Sequence, residues 1–259
     1  MARFIELPSK NHAARDPAIA VDTLVLHHTA QPLDVSLELL RFGTVSAHYV
    51  VDVNGDIYRL VEEARVAWHA GLSWWRDARS LNATSIGVEI VNIDGNRHAY
   101  PAVQRQAVIA LCRDIIKRHP TIQPRNVVGH SDIAPLRKDD PGTLFFWPEL
   151  AAAGIGLWSD APPAAVTESD AAALLRRFGY PPPHRYGRRN GRFEFADEPA
   201  AGGITDVIDV SLADIITAFQ RHYRPARVDG VADAQTVARL QDLLRQADSA
   251  VIDVAARSA

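Results

Sequence analysis

The chain has 259 residues, 47% of them hydrophobic and 23% charged, with a formal net charge of -3. That composition suits one large domain with a small one, and so small a charge gives no electrostatic case for nucleic acid or an anionic membrane surface. The single cysteine, Cys112, excludes an internal disulfide, and no segment approaches the roughly 20 apolar residues of a transmembrane span.

Met1 to Lys10 holds no apolar run of signal-peptide length. The expectation is therefore a cytoplasmic protein, with a periplasmic one as the alternative if a leader has been removed. Thr23 to His28 is a short β-rich run. Ser46 to Val53 and Ile57 to Val61 follow, joined by Asn54-Gly55, a strong hairpin signal. Ser85 to Asn92 reads as a fourth strand. Val103 to His119 is helical, with Val108, Leu111, Cys112, Ile115 and Ile116 on one face, and Pro120 stops it. Val127 to His130 is a last short strand. Strands mixed with a long helix predict an α/β fold, a mixed central sheet flanked by helices.

Composition shifts near Trp158. The expected division is an α/β domain over 1–158 and, over 159–259, a linker followed by a small all-α bundle. The Pro- and Ala-rich stretch Ser159 to Val166 is the linker. Helical patterns cover Ser169 to Phe178, Ser211 to His222 and Asp233 to Gln246, with Asp233 as an N-cap. Pro181 to Gly203 reads as an irregular loop. No internal repeat is present.

Ten histidines justify a search for a cluster. His130 opens a polar segment that runs to Gly142, kinked by Pro135 and Pro141. A histidine and a carboxylate ten residues apart meet only if that loop folds back; otherwise it is a surface loop with capping aspartates. His27 and His28 are adjacent in an apolar strand, so they face opposite sides. Physics alone leaves open which one enters a site, and a hydrogen-bonded core histidine is the ordinary alternative. Glu89 shares a strand face with Ser85 and Gly87, while Ile86, Val88 and Ile90 share the other. A carboxylate there meets a cation, faces a polar cleft, or lies on an edge strand in water. Trp68-His69-Ala70-Gly71 and Trp74-Trp75-Arg76 make an aromatic-rich loop that either stacks on a ligand or covers a core edge.

Two histidines and an aspartate suit a hydrolytic zinc site, in which three protein ligands leave a fourth position for water. Glu89 has the chemistry of a general base and Lys138 that of an oxyanion partner.

The order of Leu26-His27-His28-Thr29-Ala30, Ser46-Ala47-His48, Trp68-His69-Ala70-Gly71, Ser85-Ile86-Gly87-Val88-Glu89 and the His130 to Gly142 segment resembles that of the zinc N-acetylmuramoyl-L-alanine amidases. The resemblance covers roughly residues 20 to 150 and is specific, because five motifs agree in order. It implies cleavage of the amide between N-acetylmuramic acid, or its 1,6-anhydro form, and L-alanine. It makes His27, rather than His28, a ligand of Zn2+ together with His130 and Asp140. It also implies Glu89 as general base and Lys138 as the residue that steadies the tetrahedral intermediate. Trp68, His69, Asn82 and Arg137 match the substrate cleft. The partner so implied is a muropeptide or peptidoglycan, in cell-wall recycling or as polymer in the periplasm.

One departure matters. Phage-type and recognition-protein relatives carry a catalytic tyrosine just before the histidine of the second strand, and here that place is Ala47. The departure favours Glu89 as base. The segments Ala218 to Pro225 and Asp229 to Thr236 resemble, over a shorter and less specific stretch, the helical peptidoglycan-binding domain appended to some of these amidases. Two other classes compete: a muropeptide-binding protein without activity, whose relatives lack a metal ligand, and a zinc hydrolase of a different amide.

Overall fold

The computed structural model describes residues 3–164, 171–196 and 203–257, the last seven by backbone only. The elements run β1 (Phe4–Glu6), β2 (His12–Ala14), β3 (Thr23–His28), α1 (Leu33–Phe42), β4 (Tyr49–Val51), β5 (Ile57–Arg59) and β6 (Arg65–Ala67). After these come β7 (Trp74–Trp75), β8 (Ala78–Arg79), β9 (Ser85–Ile90), α2 (Ala102–Arg118), β10 (Val127–Gly129), α3 (His130–Ile133) and α4 (Trp147–Ala152). The C-terminal part holds α5 (Ala171–Phe178), β11 (His184–Arg189), β12 (Arg192–Phe195), β13 (Thr205–Val210), α6 (Leu212–Tyr223) and α7 (Ala234–Arg257).

The central sheet has six strands in the order β1-β5-β4-β9-β3-β10. It is mixed, as expected. β4 and β5 form the antiparallel hairpin around Asn54-Gly55, while β4, β9, β3 and β10 lie parallel. Gly55 takes a positive φ of 86° in that turn, the conformation that favours glycine. The parallel strands carry their alternation plainly. Leu24, Leu26, Ile86, Val88 and Ile90 point into one core, where Val108, Leu111, Cys112 and Ile115 of α2 cover them.

The other face is shared between two further clusters. Val50 packs with Ala47, Leu60 and Leu40 of α1. Val25 and Val128 pack with Leu175 and Phe178 of α5, Ile215 and Phe219 of α6, and Leu240 and Leu244 of α7. The C-terminal helices therefore complete the second face of the central sheet. His27 and Glu89 are level with one another in the β3–β9 register, at the carboxyl ends of parallel strands, where open α/β sheets bind ligands.

The helices expected in the C-terminal part are present; Ser169 and Asp170 lie outside the described residues, as do Ala165 and Val166 of the linker. Asp233 caps α7, its carboxylate accepting from the Thr236 N–H at 2.9 Å. The stretch Pro181 to Gly203 needs correction. Its described part holds β11 and β12, which with β13 form a three-stranded antiparallel sheet in the order β12-β11-β13. The C-terminal part is thus helices plus a small sheet rather than helices alone. Among the described residues no helix is long and apolar enough to cross a membrane.

Candidate active site

Three side chains from two motifs far apart in sequence converge at the carboxyl ends of β3 and β10. The His27 and His130 Nδ1 atoms lie 2.9 Å apart, and Asp140 Oδ2 lies 3.2 Å from each. All three side chains are buried. The loop after His130 does fold back: the Ser131 N–H donates to the Asp140 carbonyl at 2.9 Å, which ties the two ends of the motif together.

The hydrogen bonds around the imidazoles decide which nitrogens carry protons. The Ser85 hydroxyl donates to the Leu81 carbonyl at 2.6 Å. Its oxygen is then free to accept from His69 Nε2, 3.2 Å away. That leaves His69 Nδ1 as an acceptor for His27 Nε2–H at 3.0 Å. His130 Nε2 faces the Ala70 carbonyl at 3.1 Å, so it must donate. In this neutral arrangement both Nδ1 atoms present lone pairs to one another and to a carboxylate oxygen. Three electron-pair donors facing one another with no proton between them call for a cation. Donors around a tetrahedral ion at about 2.0–2.1 Å lie roughly 3.4 Å apart, close to the separations found, so the residues fit a metal ion of the zinc class.

Burial sets the charge states. It holds the His130 imidazole down at about 3, against the pull of Asp140. It also lowers His69 well below the ordinary histidine value, with the neighbouring imidazoles adding to the effect. For Asp140 burial acts upward, but His130 and His27 outweigh it and keep the carboxyl well below the usual range. Neutral imidazoles and an ionised carboxylate are the forms that ligate a cation.

Glu89 stands beside this cluster. The residue keeps some surface on the cleft, but its Oε2 is sealed from solvent and has no hydrogen-bond partner. Burial raises its pKa to about 7; Asp140 adds to the rise, while His27 and Lys138 oppose it. Lys138 is half-buried and lines the same cleft of about 380 Å³, with Trp68, Arg137 and Asp140. A carboxyl poised near neutrality with an idle buried oxygen is equipped to exchange a proton with something placed in that cleft.

The other sequence-predicted residues are placed as follows. Trp68 is exposed and borders the cleft. His69 lines the cleft as well as bonding to His27, and its ring lies over Gly87, where an added Cβ would come within 2.3 Å. Asn82 does not line the cleft. Its Oδ1 accepts from the His69 and Ala70 N–H groups at 3.1 and 2.9 Å and so fixes the loop that carries His69. Arg137 reaches the cleft and donates to the Ala70 carbonyl at 3.0 Å and the Leu72 carbonyl at 2.5 Å. His28 is not part of the His27–His130–Asp140 cluster; it lines the same cleft, its Nδ1 accepting from the Ala30 N–H at 3.1 Å. Trp74 and Trp75 are buried and cover the core edge, Trp75 inside the second core and Trp74 against His184 and Phe195. Tyr49 is also buried, its hydroxyl donating to Glu63 at 2.8 Å. Sequence reasoning missed Ser85 as the end of the imidazole chain and Ala70 as the acceptor for His130. The first shared a face with Glu89 and was within reach; the second is a backbone group that leaves no trace in sequence.

Comparison with known proteins identifies the family. Residues 17–143 match the N-acetylmuramoyl-L-alanine amidase family, and residues 170–240 match the peptidoglycan binding domain family. N-acetylmuramoyl-L-alanine amidase AmiD of Escherichia coli K12 is 39% identical over 252 residues, spanning 87% of this chain and 83% of the relative. Its structure in complex with the substrate anhydro-N-acetylmuramic acid-L-Ala-D-gamma-Glu-L-Lys aligns with a TM-score of 0.71 at 36% identity, over 92% of this chain and 98% of that one. AmpDh3 of Pseudomonas aeruginosa in complex with anhydromuramic pentapeptide aligns with a TM-score of 0.71 at 34% identity, over 87% of this chain and 92% of that one. Sequence similarity over nearly the whole of a characterised relative, joined to a shared fold, settles that the chain belongs to the N-acetylmuramoyl-L-alanine amidase family.

Proposed function

We propose that this protein is a zinc-dependent amidase that hydrolyses the bond between 1,6-anhydro-N-acetylmuramic or N-acetylmuramic acid and L-alanine in soluble peptidoglycan fragments. The observation that carries the reading is the convergence of the His27, His130 and Asp140 lone pairs beside the unpartnered Oε2 of Glu89. The anhydro-muramyl peptides held by two solved relatives support the fragment as substrate, and with it a role in cell-wall recycling.

His27, His130 and Asp140 would hold the zinc. The ion supplies Lewis acidity, polarising the scissile carbonyl and acidifying a water. Glu89 takes a proton from the attacking water as its oxygen bonds to the lactyl carbonyl carbon. Lys138 places positive charge beside the oxygen that becomes an oxyanion. Glu89 then returns the proton to the L-alanine nitrogen as the C–N bond breaks. The products are a free lactyl carboxylate and a stem peptide with a new amino terminus. Asn82 and Ser85 do not touch the substrate in this scheme; with His69 they hold His27 in the tautomer and orientation that leave Nδ1 free.

The test is digestion of purified anhydro-muropeptide and of intact sacculi by zinc-loaded protein, with products identified by mass spectrometry. Stem peptide beginning with L-alanine, released from the anhydro-muropeptide, is the expected result. Release from sacculi at equal rate would make the enzyme one of the polymer and its envelope. Release from neither would sink the reading.

A further inference from the structure

The buried carboxylate of Asp132 has no role in the chemistry above, yet it is the most heavily engaged acid near the site. It is 0% exposed and sits two residues after His130 on α3. Its Oδ2 accepts from the Gly129 N–H at 2.7 Å and from His222 Nδ1 at 2.7 Å. Its Oδ1 accepts from the Tyr180 hydroxyl at 2.5 Å. Two of these three donors come from the C-terminal part of the chain: Tyr180 follows α5, and His222 lies on α6. His222 is itself held flat. Its ring stacks between Trp147, with centroids 3.6 Å apart, and Tyr223, at 3.7 Å.

α3 has only four residues, too few to hold its own shape. Its orientation depends on what it is tied to. A buried carboxylate is costly to desolvate, and an apolar side chain would serve plain packing as well or better. What the carboxylate adds is direction, because three donors fix its plane. Fixing Asp132 fixes the short helix, and the short helix carries His130. We propose that His222 and Tyr180 are positioning residues that act through Asp132 to keep His130 in ligating geometry, so that metal retention depends on the C-terminal part of the protein. The inference rests on the ligand set put forward above.

The experiment uses the full chain loaded with zinc and compares wild type with His222→Leu, His222→Asn and Tyr180→Phe. The first readout is the rate of zinc loss to excess chelator, followed with a metal indicator at a temperature where circular dichroism shows native structure. The second is kcat and KM on anhydro-muropeptide. Loss of an outer-shell partner typically weakens metal binding roughly 10–100-fold. His222→Leu and Tyr180→Phe are therefore expected to speed zinc loss about 10-fold or more and to lower kcat with little change in KM. His222→Asn, which keeps an N–H near the Nδ1 position, is expected to restore retention to within about threefold of wild type. A purely structural role predicts lower melting temperatures with zinc loss at the wild-type rate, and that result overturns the proposal. So does a His222→Asn variant as leaky as His222→Leu. Should His222→Leu not fold, Tyr180→Phe decides, since it removes one oxygen and leaves the ring. A wild-type protein that retains no zinc overturns the ligand set itself, whereas retention that is equal in all variants overturns the clamp alone.

Discussion

Glu89 is held between two opposing demands. Burial favours its neutral form, and catalysis of water attack needs its charged one. With the pKa raised to about 7, the carboxyl is divided between the two near neutrality. A general base works only when ionised, so kcat/KM is expected to rise with pH through about 7 and then level; a cation on the neighbouring ligands moves that limb lower. Glu89→Gln keeps the shape and removes the base. It is expected to lower kcat roughly 10²–10⁴-fold without loss of bound zinc, measured by metal analysis beside steady-state kinetics. The same group affects stability with a definite sign. Folding raises its pKa from 4.5 to about 7, so its own contribution to the stability of the metal-free protein is lost as pH rises through that window, opposite in sign to that of the buried His130 and His69, whose imidazoles are held down. The Gln variant lacks that loss, so its stability relative to wild type should rise across the window, as urea melts at the two ends would show. Lys138→Ala removes charge beside the developing oxyanion and is expected to cost about 10²–10³ in kcat, with zinc content unchanged. At this scale the strand pattern was informative in chemistry and silent on one binary choice. Adjacent strand histidines must face opposite ways; the family resemblance named His27, and the β3–β9 register, which sets His27 beside Glu89, supplies the geometry.

At the scale of the element, β9 is a strand built around an absence. Ser85, Gly87 and Glu89 share its site face. Ser85 receives the end of the imidazole chain, Glu89 supplies the carboxyl, and Gly87 leaves room for the His69 ring between them. A Cβ at Gly87 would meet His69 Cγ at 2.3 Å and Nδ1 at 2.4 Å. Gly87→Ala must displace that ring, and with it the partner of His27 Nε2. Overpacking of this kind costs about 1–3 kcal/mol. Weaker zinc binding should accompany it, seen by running the same urea titration with and without chelator: if the stability deficit is equal in both, His69 does not support the metal ligand. The elements that sequence reasoning found were those with a short apolar run, such as β3 and β10, an alternating one, β9, a hairpin signal, β4 and β5, or an apolar stripe, α2, α6 and α7. It missed α1, whose apolar residues do not keep to one face: Val35, Leu39 and Phe42 are exposed while Leu40 is buried. It also missed β11 and β12, in which arginines blur the alternation and Tyr186 is the one fully buried apolar side chain. Yet Asn190-Gly191 joins them with positive φ at both residues, 50° and 78°, the same hairpin signal that placed β4 and β5.

On the scale of the whole molecule, composition suggested two parts with a linker between them, and a detachable wall-binding module would fit that reading. The second core argues for a closer union. Val25, Val128 and Ile133 of the catalytic sheet and its short helix share one apolar cluster with Phe178, Ile215, Phe219 and Leu240. Sequence could show that each helix has an apolar face, but not which surface that face would meet, because the contact joins positions far apart along the chain. A fragment of residues 1–158 would bare Val25, Val128, Ile133 and Trp75, each now 2% exposed or less. Uncovering one such side chain costs about 1.5–3 kcal/mol, and a domain of this kind is stable by only about 5–15 kcal/mol in total. Four uncovered together consume most of that margin. The fragment is therefore expected to be insoluble, or to bind an apolar dye and melt without cooperativity, where the full chain melts sharply. The opposite outcome, a soluble 1–158 fragment with a cooperative melt and full activity on anhydro-muropeptide, would mean that the sheet's second face needs no cover and that the C-terminal part serves the substrate rather than the fold.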